Sequence, residues 1–288
     1  MFFGVMVKYK LLAIDIDGTL LREDQTVPTE TRQAIQQAEQ AGLAVCLATG
    51  RSYMESVDAW RQLRLNRPFQ PMVLVGGALV SEPDTGRTLY QKTLEKEDAF
   101  AFADALAEEG YSAMALVDVW RWGVDYYFSE GRDYKDAARR WFEQMEVKVR
   151  RVPRLADAMD MPRPLRVSAV ADPKKAPALA ERLKERFDGR MNIHPIFAPN
   201  YGLTIVEAFS AGADKFSAVR YVAQALQAGP GQIAAVGDDV NDLAMIRQAG
   251  LGAAMAKAPQ HVGEAADHVV QGKDLGGFIR DILAGRFD

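Results

Sequence analysis

Residues 10–21, KLLAIDIDGTLL, form a strand-like apolar run that carries two aspartates, Asp15 and Asp17, with a single isoleucine between them. Carboxylates at positions i and i+2 of a strand point to one face and lie close together. Two close anions in a partly buried place repel and shift each other's pKa unless a cation joins them. The run therefore reads as a buried strand that delivers charge to the edge of a sheet, where a cation awaits.

Outward from that strand, TRQAIQQAEQAG places Ala34, Ile35, Ala38 and Ala41 on one helical face before the stop at Gly42. The apolar run LAVCLATGR follows, then a segment with Met54, Val57, Trp60 and Leu63 at helical spacing, then MVLVGGALV as a third strand. Continuously apolar strands separated by helices predict a parallel sheet buried on both faces, with ligands beyond the carboxyl ends of its strands. From about residue 84 the texture changes to short paired strands mixed with helices, among them a helix around YKDAARRWFEQM. The doubly wound pattern resumes with the helix opened by Lys215, the strand QIAAVGDD, the helix NDLAMIRQAG and the strand LGAAM. The fold expected is α/β: a Rossmann-like doubly wound core made of 1–83 and 193–288, with an α+β module inserted over 84–192.

A chain of 288 residues with 48% apolar content can bury two cores of ordinary size. Its 35 basic and 39 acidic side chains leave a net charge of −4 without a long block of one sign, so no nucleic-acid footprint is expected. The apolar opening ahead of Lys8 has no basic leader and no cleavage site, and no run of about 18 apolar residues occurs. Neither a signal peptide nor a membrane span is expected, and Met6 offers an alternative start. Cys46 is the single cysteine, which rules out an internal disulfide and fits a reducing cytoplasm.

Four places put polar groups at the end of an apolar core strand or the start of a core helix: Asp15 and Asp17, Thr49-Gly50-Arg51, Lys215, and Asp238-Asp239 with Asn241 and Asp242. A parallel sheet can gather all four at one edge. The carboxylates suit a hard divalent cation, Mg2+ in preference to Ca2+ because few protein ligands are on offer. Lys215, the Thr49 hydroxyl and the Gly50 amide make a receptor for a phosphate dianion. A carboxylate can attack phosphorus, and a second can give a proton to the leaving oxygen and later take one from water. Asp239 and Asp242 can equally cap the turn that follows the strand, and Arg51 is expected in a salt bridge, with substrate binding as the alternative. His194, His261 and His268 show no metal-ligand spacing. Trp120, Trp122, Tyr126, Tyr127 and Phe128 are expected to pack the inserted sheet, and Cys46 to be buried.

The ordered set DIDGT (15–19), LATGR (47–51), Lys215 and GDDVNDLAMIRQAG (237–250) resembles the four motifs of the haloacid dehalogenase-like phosphohydrolases. Length and insert position resemble the Cof-type subfamily, which carries an α/β cap between its second and third motifs. The resemblance implies that Asp15 is the nucleophile and Asp17 the general acid and base. It also implies Mg2+ on Asp15, Asp238 and the Asp17 backbone carbonyl, with Thr49 and Lys215 on the phosphoryl group and Asn241 on the phosphate or the metal shell. The partner implied is a small phosphorylated metabolite. Two positions depart from the Cof-type pattern: Gly76 and Lys257 stand where asparagine is usual, near the expected mouth of the site. Two alternatives stay open, a phosphotransferase or phosphomutase, and a binding protein on the same fold with little turnover.

Overall fold

The computed structural model describes residues 8–131, 142, 147–198, 202–272 and 274–287. The apolar opening, Met6 and all but Phe142 of the helix expected around 134–145 lie outside the described residues. The chain divides into two compact units, Met1–Tyr90 together with Asp214–Asp288, and Gln91–Ala213.

The first unit begins β1 (Leu11–Ile14), α1 (Thr29–Gln40), β2 (Ala44–Leu47), α2 (Tyr53–Leu63), β3 (Met72–Leu74), β4 (Leu79–Ser81) and β5 (Thr88–Gln91). Every residue of β1 is buried, and each large apolar side chain there contributes about 1.5–3 kcal/mol by leaving water. α1 buries Ala34, Ile35 and Ala38, while Ala41 lies past its last turn and is exposed. In α2, Val57, Trp60 and Leu63 are buried and Met54 is not. The Glu55 carboxylate accepts from the Ser52 N–H at 2.8 Å, fixing the start of that helix.

The run MVLVGGALV is two strands, not one. Val75, Gly76 and Gly77 take φ of 52°, 62° and 96°, and this left-handed run turns the chain so that β4 pairs antiparallel with β3. β5, expected in the inserted module, instead completes the three-stranded sheet β3-β4-β5.

The second unit holds α3 (Lys96–Glu108), β6 (Ala113–Leu116), α4 (Val119–Trp122), β7 (Tyr126–Ser129), β8 (Val149–Val152), β9 (Arg166–Ala171), α5 (Ala176–Phe187), β10 (Met191–Ala198) and β11 (Leu203–Ser210). Its six-stranded sheet has the order β10-β11-β9-β6-β7-β8. The unit runs to Ala213 rather than 192 because β10 pairs with β11, and β11 in turn with β9. Val167, Ala169, Val206 and Ala208 pack with Phe102, Leu106, Leu179 and Leu183 of the helices in one buried cluster. Tyr126, Tyr127 and Phe128 are buried as expected, whereas Trp120 and Trp122 on α4 are half exposed.

The first unit then resumes with α6 (Lys215–Ala225), β12 (Ile233–Gly237), α7 (Leu243–Gln248), β13 (Leu251–Met255), α8 (Gln260–Gly263), β14 (His268–Val270) and α9 (Leu275–Leu283). The parallel sheet has the order β14-β13-β12-β1-β2, and β3 joins it at the parallel bridge Ala48 to Val73. In register, Ile14 faces Val236 on one side and Leu47 on the other. Asp15, Ala48 and Gly237 thus stand at one level at the carboxyl ends of their strands, at the point where strand order reverses and α/β sheets hold ligands. Among the described residues, no helix is long and apolar enough to cross a membrane.

Candidate active site

β1 ends at Ile14, and the Asp15 N–H still donates to Val236 at 3.0 Å. The chain then closes a tight turn over Ile16–Leu20, with the Leu21 N–H on the Ile16 carbonyl at 3.0 Å. Gly18 makes this possible at φ 74°, and a Cβ there would lie 2.0 Å from Asp238 Oδ2. Glycine therefore lets the first turn press against the end of β12. The turn also separates the two aspartates: Asp15 is buried, while the Asp17 side chain is 56% exposed. The expectation that both lie on one strand face gives way, because the strand stops before Asp15.

At the end of β2 the buried Thr49 hydroxyl accepts from the Arg51 N–H at 3.1 Å. Lys215 opens α6, whose first turn is capped by Asp214 accepting from the Ser217 N–H at 2.9 Å. A Cβ on Gly77 would stand 2.0 Å from the Asp214 carbonyl oxygen, so the glycine turn after β3 is what lets this helix start come close. Lys215 Nζ, itself buried, donates to Asp15 Oδ1 at 2.7 Å, to Asp242 Oδ1 at 2.6 Å and to Asn241 Oδ1 at 3.3 Å. Gly50 faces the Asn241 amide, which a Cβ would approach to 3.9 Å.

After β12, Asp239 caps the next turn by accepting from the Val240 N–H at 2.7 Å. Asp242 does more than cap. Its Oδ2 accepts from the N–H groups of Asp238 and Asp239 at 3.0 and 3.1 Å, while Oδ1 takes the lysine. This one buried carboxylate thereby fixes both the loop that carries Asp238 and the ammonium. Thr19, which sequence reasoning passed over although it sits in DIDGT, donates to Asp238 Oδ1 at 3.3 Å.

Asp15, Asp238 and Asp242 each offer an oxygen within 4.8 Å of the others. Burial raises the Asp15 pKa well above its ordinary value, with the Asp242 carboxylate adding to the rise and Lys215 opposing it. Burial, then Asp242 and Asp239, push Asp238 up to about 7. Burial works against the Lys215 charge, but Asp15 and Asp242 outweigh it and hold the ammonium above its ordinary pKa. One ammonium thus leaves three crowded carboxylates short of positive charge, and a hard cation with oxygen ligands fits that deficit.

Of the residues singled out in the sequence, Asp15, Lys215, Asp238 and Asn241 come together with Asp242. Thr49 and Gly50 border them from the end of β2. The Asp17 carboxylate stands apart on Arg51, in the salt bridge expected for that arginine. His194 and His261 are exposed, and His268 stacks on Phe278 at 5.5 Å. Cys46 is buried, and burial pushes its thiol up to about 12. Lys257 is exposed just past β13.

Residues 12–282 match the family model for haloacid dehalogenase-like hydrolases, and the chain belongs to that family. It is a hydrolase with a parallel α/β core and an inserted cap. The phosphatase YwpJ of Bacillus subtilis is 26% identical over 290 residues, covering 92% of this chain and 95% of that protein. The 5-amino-6-(5-phospho-D-ribitylamino)uracil phosphatase YcsE of Bacillus subtilis is also 26% identical, over 91% of this chain and 90% of its own. Among solved structures, the subclass IIB sugar phosphatase BT4131 superposes with a TM-score of 0.75 at 20% identity, over 97% of this chain and 100% of that one.

Proposed function

We propose that this chain is a Mg2+-dependent phosphatase that hydrolyses small phosphomonoesters through an aspartyl-phosphate on Asp15. Sugar phosphates are the substrate class to test first, and a reducing cytoplasm the setting. The observation that carries the reading is the Lys215 ammonium held against Asp15 beside Asp238 and Asp242. Such a centre pairs an anionic nucleophile with fixed positive charge for the oxygens of a phosphoryl group.

In the first half of the reaction an Asp15 oxygen attacks phosphorus, and the bond from phosphorus to the ester oxygen breaks. Asp17 gives that leaving oxygen its proton. In the second half Asp17 takes a proton from water, the water oxygen attacks phosphorus, and Asp15 leaves as a free carboxylate with phosphate released. Lys215, Thr49, Asn241 and the Gly50 N–H hold the phosphoryl oxygens in place throughout. Asp15, Asp238 and the Asp17 backbone carbonyl would hold Mg2+, with Asp242 close enough to join them. When bound, the ion supplies positive charge against the carboxylates and the phosphoryl group.

Asp15→Asn tests this directly. Turnover of p-nitrophenyl phosphate is expected to vanish while the fold, followed by circular dichroism, persists. Retained turnover in that variant, or full activity of the parent protein in EDTA, overturns the reading.

A further inference from the structure

The Arg51 side chain takes both oxygens of one carboxylate: Nε donates to Asp17 Oδ2 at 2.8 Å and Nη2 to Asp17 Oδ1 at 2.5 Å. The fork is braced from its other side. Nη2 also donates to Gln25 Oε1 at 2.7 Å, and Nη1 to the Glu55 carbonyl at 3.2 Å. Gln25 in turn sits at φ 61°, with its own carbonyl accepting from Gln62 Nε2 at 3.1 Å, while Gln62 Oε1 accepts from the Val27 N–H at 2.9 Å. A planar guanidinium held at three corners is pre-organised, so it dictates where its carboxylate partner stands.

We propose that Arg51, braced by Gln25 and the Glu55 carbonyl, is the positioning residue that aims the Asp17 carboxylate at the leaving oxygen. In-line displacement puts the entering and leaving oxygens on opposite sides of phosphorus. Asp15 enters from the buried side, so a proton donor belongs on the solvent side, where the exposed Asp17 side chain lies in the grip of the fork. A simple surface ion pair would need neither the second oxygen nor the two braces. The inference rests on the proton-transfer role given to Asp17 above.

A leaving-group comparison tests it. p-Nitrophenolate departs without a proton, whereas the alkoxide of glycerol 2-phosphate needs one. Asp17→Asn is the control on the role itself: read as kcat/KM, which reports only the half-reaction in which the ester oxygen departs, its loss on glycerol 2-phosphate should exceed its loss on p-nitrophenyl phosphate by about 100-fold or more. Equal losses there would end the proton-transfer role of Asp17, and this inference with it. Arg51→Met should then show the same bias at smaller size, about tenfold or more in kcat/KM on the alkyl ester, carried by kcat, and at most about threefold on the aryl ester. Arg51→Lys keeps the charge but not the fork and should recover little of the loss. A uniform loss on both esters, a rise confined to KM, or full recovery in Arg51→Lys would overturn the positioning role. Should Arg51→Met fail to fold, Gln25→Ala decides: a loss selective for the alkyl ester supports the proposal, and equal behaviour on both esters refutes it.

Discussion

Replacing Lys215 with methionine keeps the bulk of the side chain and deletes its charge. The ammonium it removes is buried and lies 2.7 Å from Asp15 and 2.6 Å from Asp242, with Asp238 in the same cluster. Three carboxylates would then share a buried place with no cation. Removing one partner of a buried ion pair costs about 3–5 kcal/mol, because the stranded charge cannot regain its water. In a domain of the core's size each kcal/mol lowers Tm by about 2–4 °C, so a fall of roughly 6–20 °C is expected without metal.

The pH dependence of that fall identifies its cause. Burial and like charge hold the Asp15 and Asp238 pKa values above the ordinary 3.8, Asp238 at about 7. Between those values the folded protein binds more protons than the unfolded chain, so the contribution of these groups weakens as pH rises through the window. Deleting Lys215 lifts both pKa values further and steepens the decline. Thermal unfolding in EDTA should therefore show a large deficit for Lys215→Met at pH 8 and a smaller one at pH 5.5. Mg2+ should recover part of the loss at pH 8, and adding Asp242→Asn should recover part of it in EDTA, because the two residues are coupled. A Tm unchanged at pH 8, or a deficit equal at both pH values, would refute the claim that charge, and not packing, is what Lys215 contributes.

Two further outcomes follow from the same geometry. Gly18→Ala places a methyl group 2.0 Å from Asp238 Oδ2 at φ 74°, so it should weaken Mg2+ binding by about tenfold or more while costing about 1–3 kcal/mol in stability; calorimetric titration with Mg2+ and a denaturant curve measure both, and an unchanged affinity would count against Asp238 as a ligand. With Asp238 near 7, Mg2+ must displace a proton at and below neutrality, so calorimetry at pH 6.5 in two buffers of different ionisation heat should register proton release that disappears by pH 8.5; no release at pH 6.5 would contradict the raised pKa.

Much of this architecture is legible in the sequence because parallel strands buried on both faces are written as unbroken apolar runs. β1, β2, β12 and β13 are of that kind, and each chemistry-bearing residue either follows one of them or, like Lys215, opens a helix. Where the reading slipped, local backbone conformation overrode the pattern. Val75 is a β-branched residue at positive φ inside MVLVGGALV, a conformation that an apolar run gives no reason to expect, though the Gly-Gly pair beside it was the available warning. β11 went unread within a long connection, although LTIVEAFS is rich in strand formers and its pairing extends the inserted unit to Ala213.

The two aspartates of DIDGT show how position within a turn divides labour between identical side chains. Had the strand continued through Asp17, both carboxylates would crowd one face and both would feel the same burial. Instead the strand stops at Ile14 and the turn opens at Ile16, so Asp15 is left against Lys215 while Asp17 reaches Arg51. One carboxylate is thereby desolvated and held beside a fixed cation, as a nucleophile toward phosphorus requires. The other stays partly hydrated, as the proton-transfer role proposed for it requires. The difference lies not in the residue type but in the turn that opens at Ile16 between the two aspartates, a turn that Gly18 lets close against Asp238.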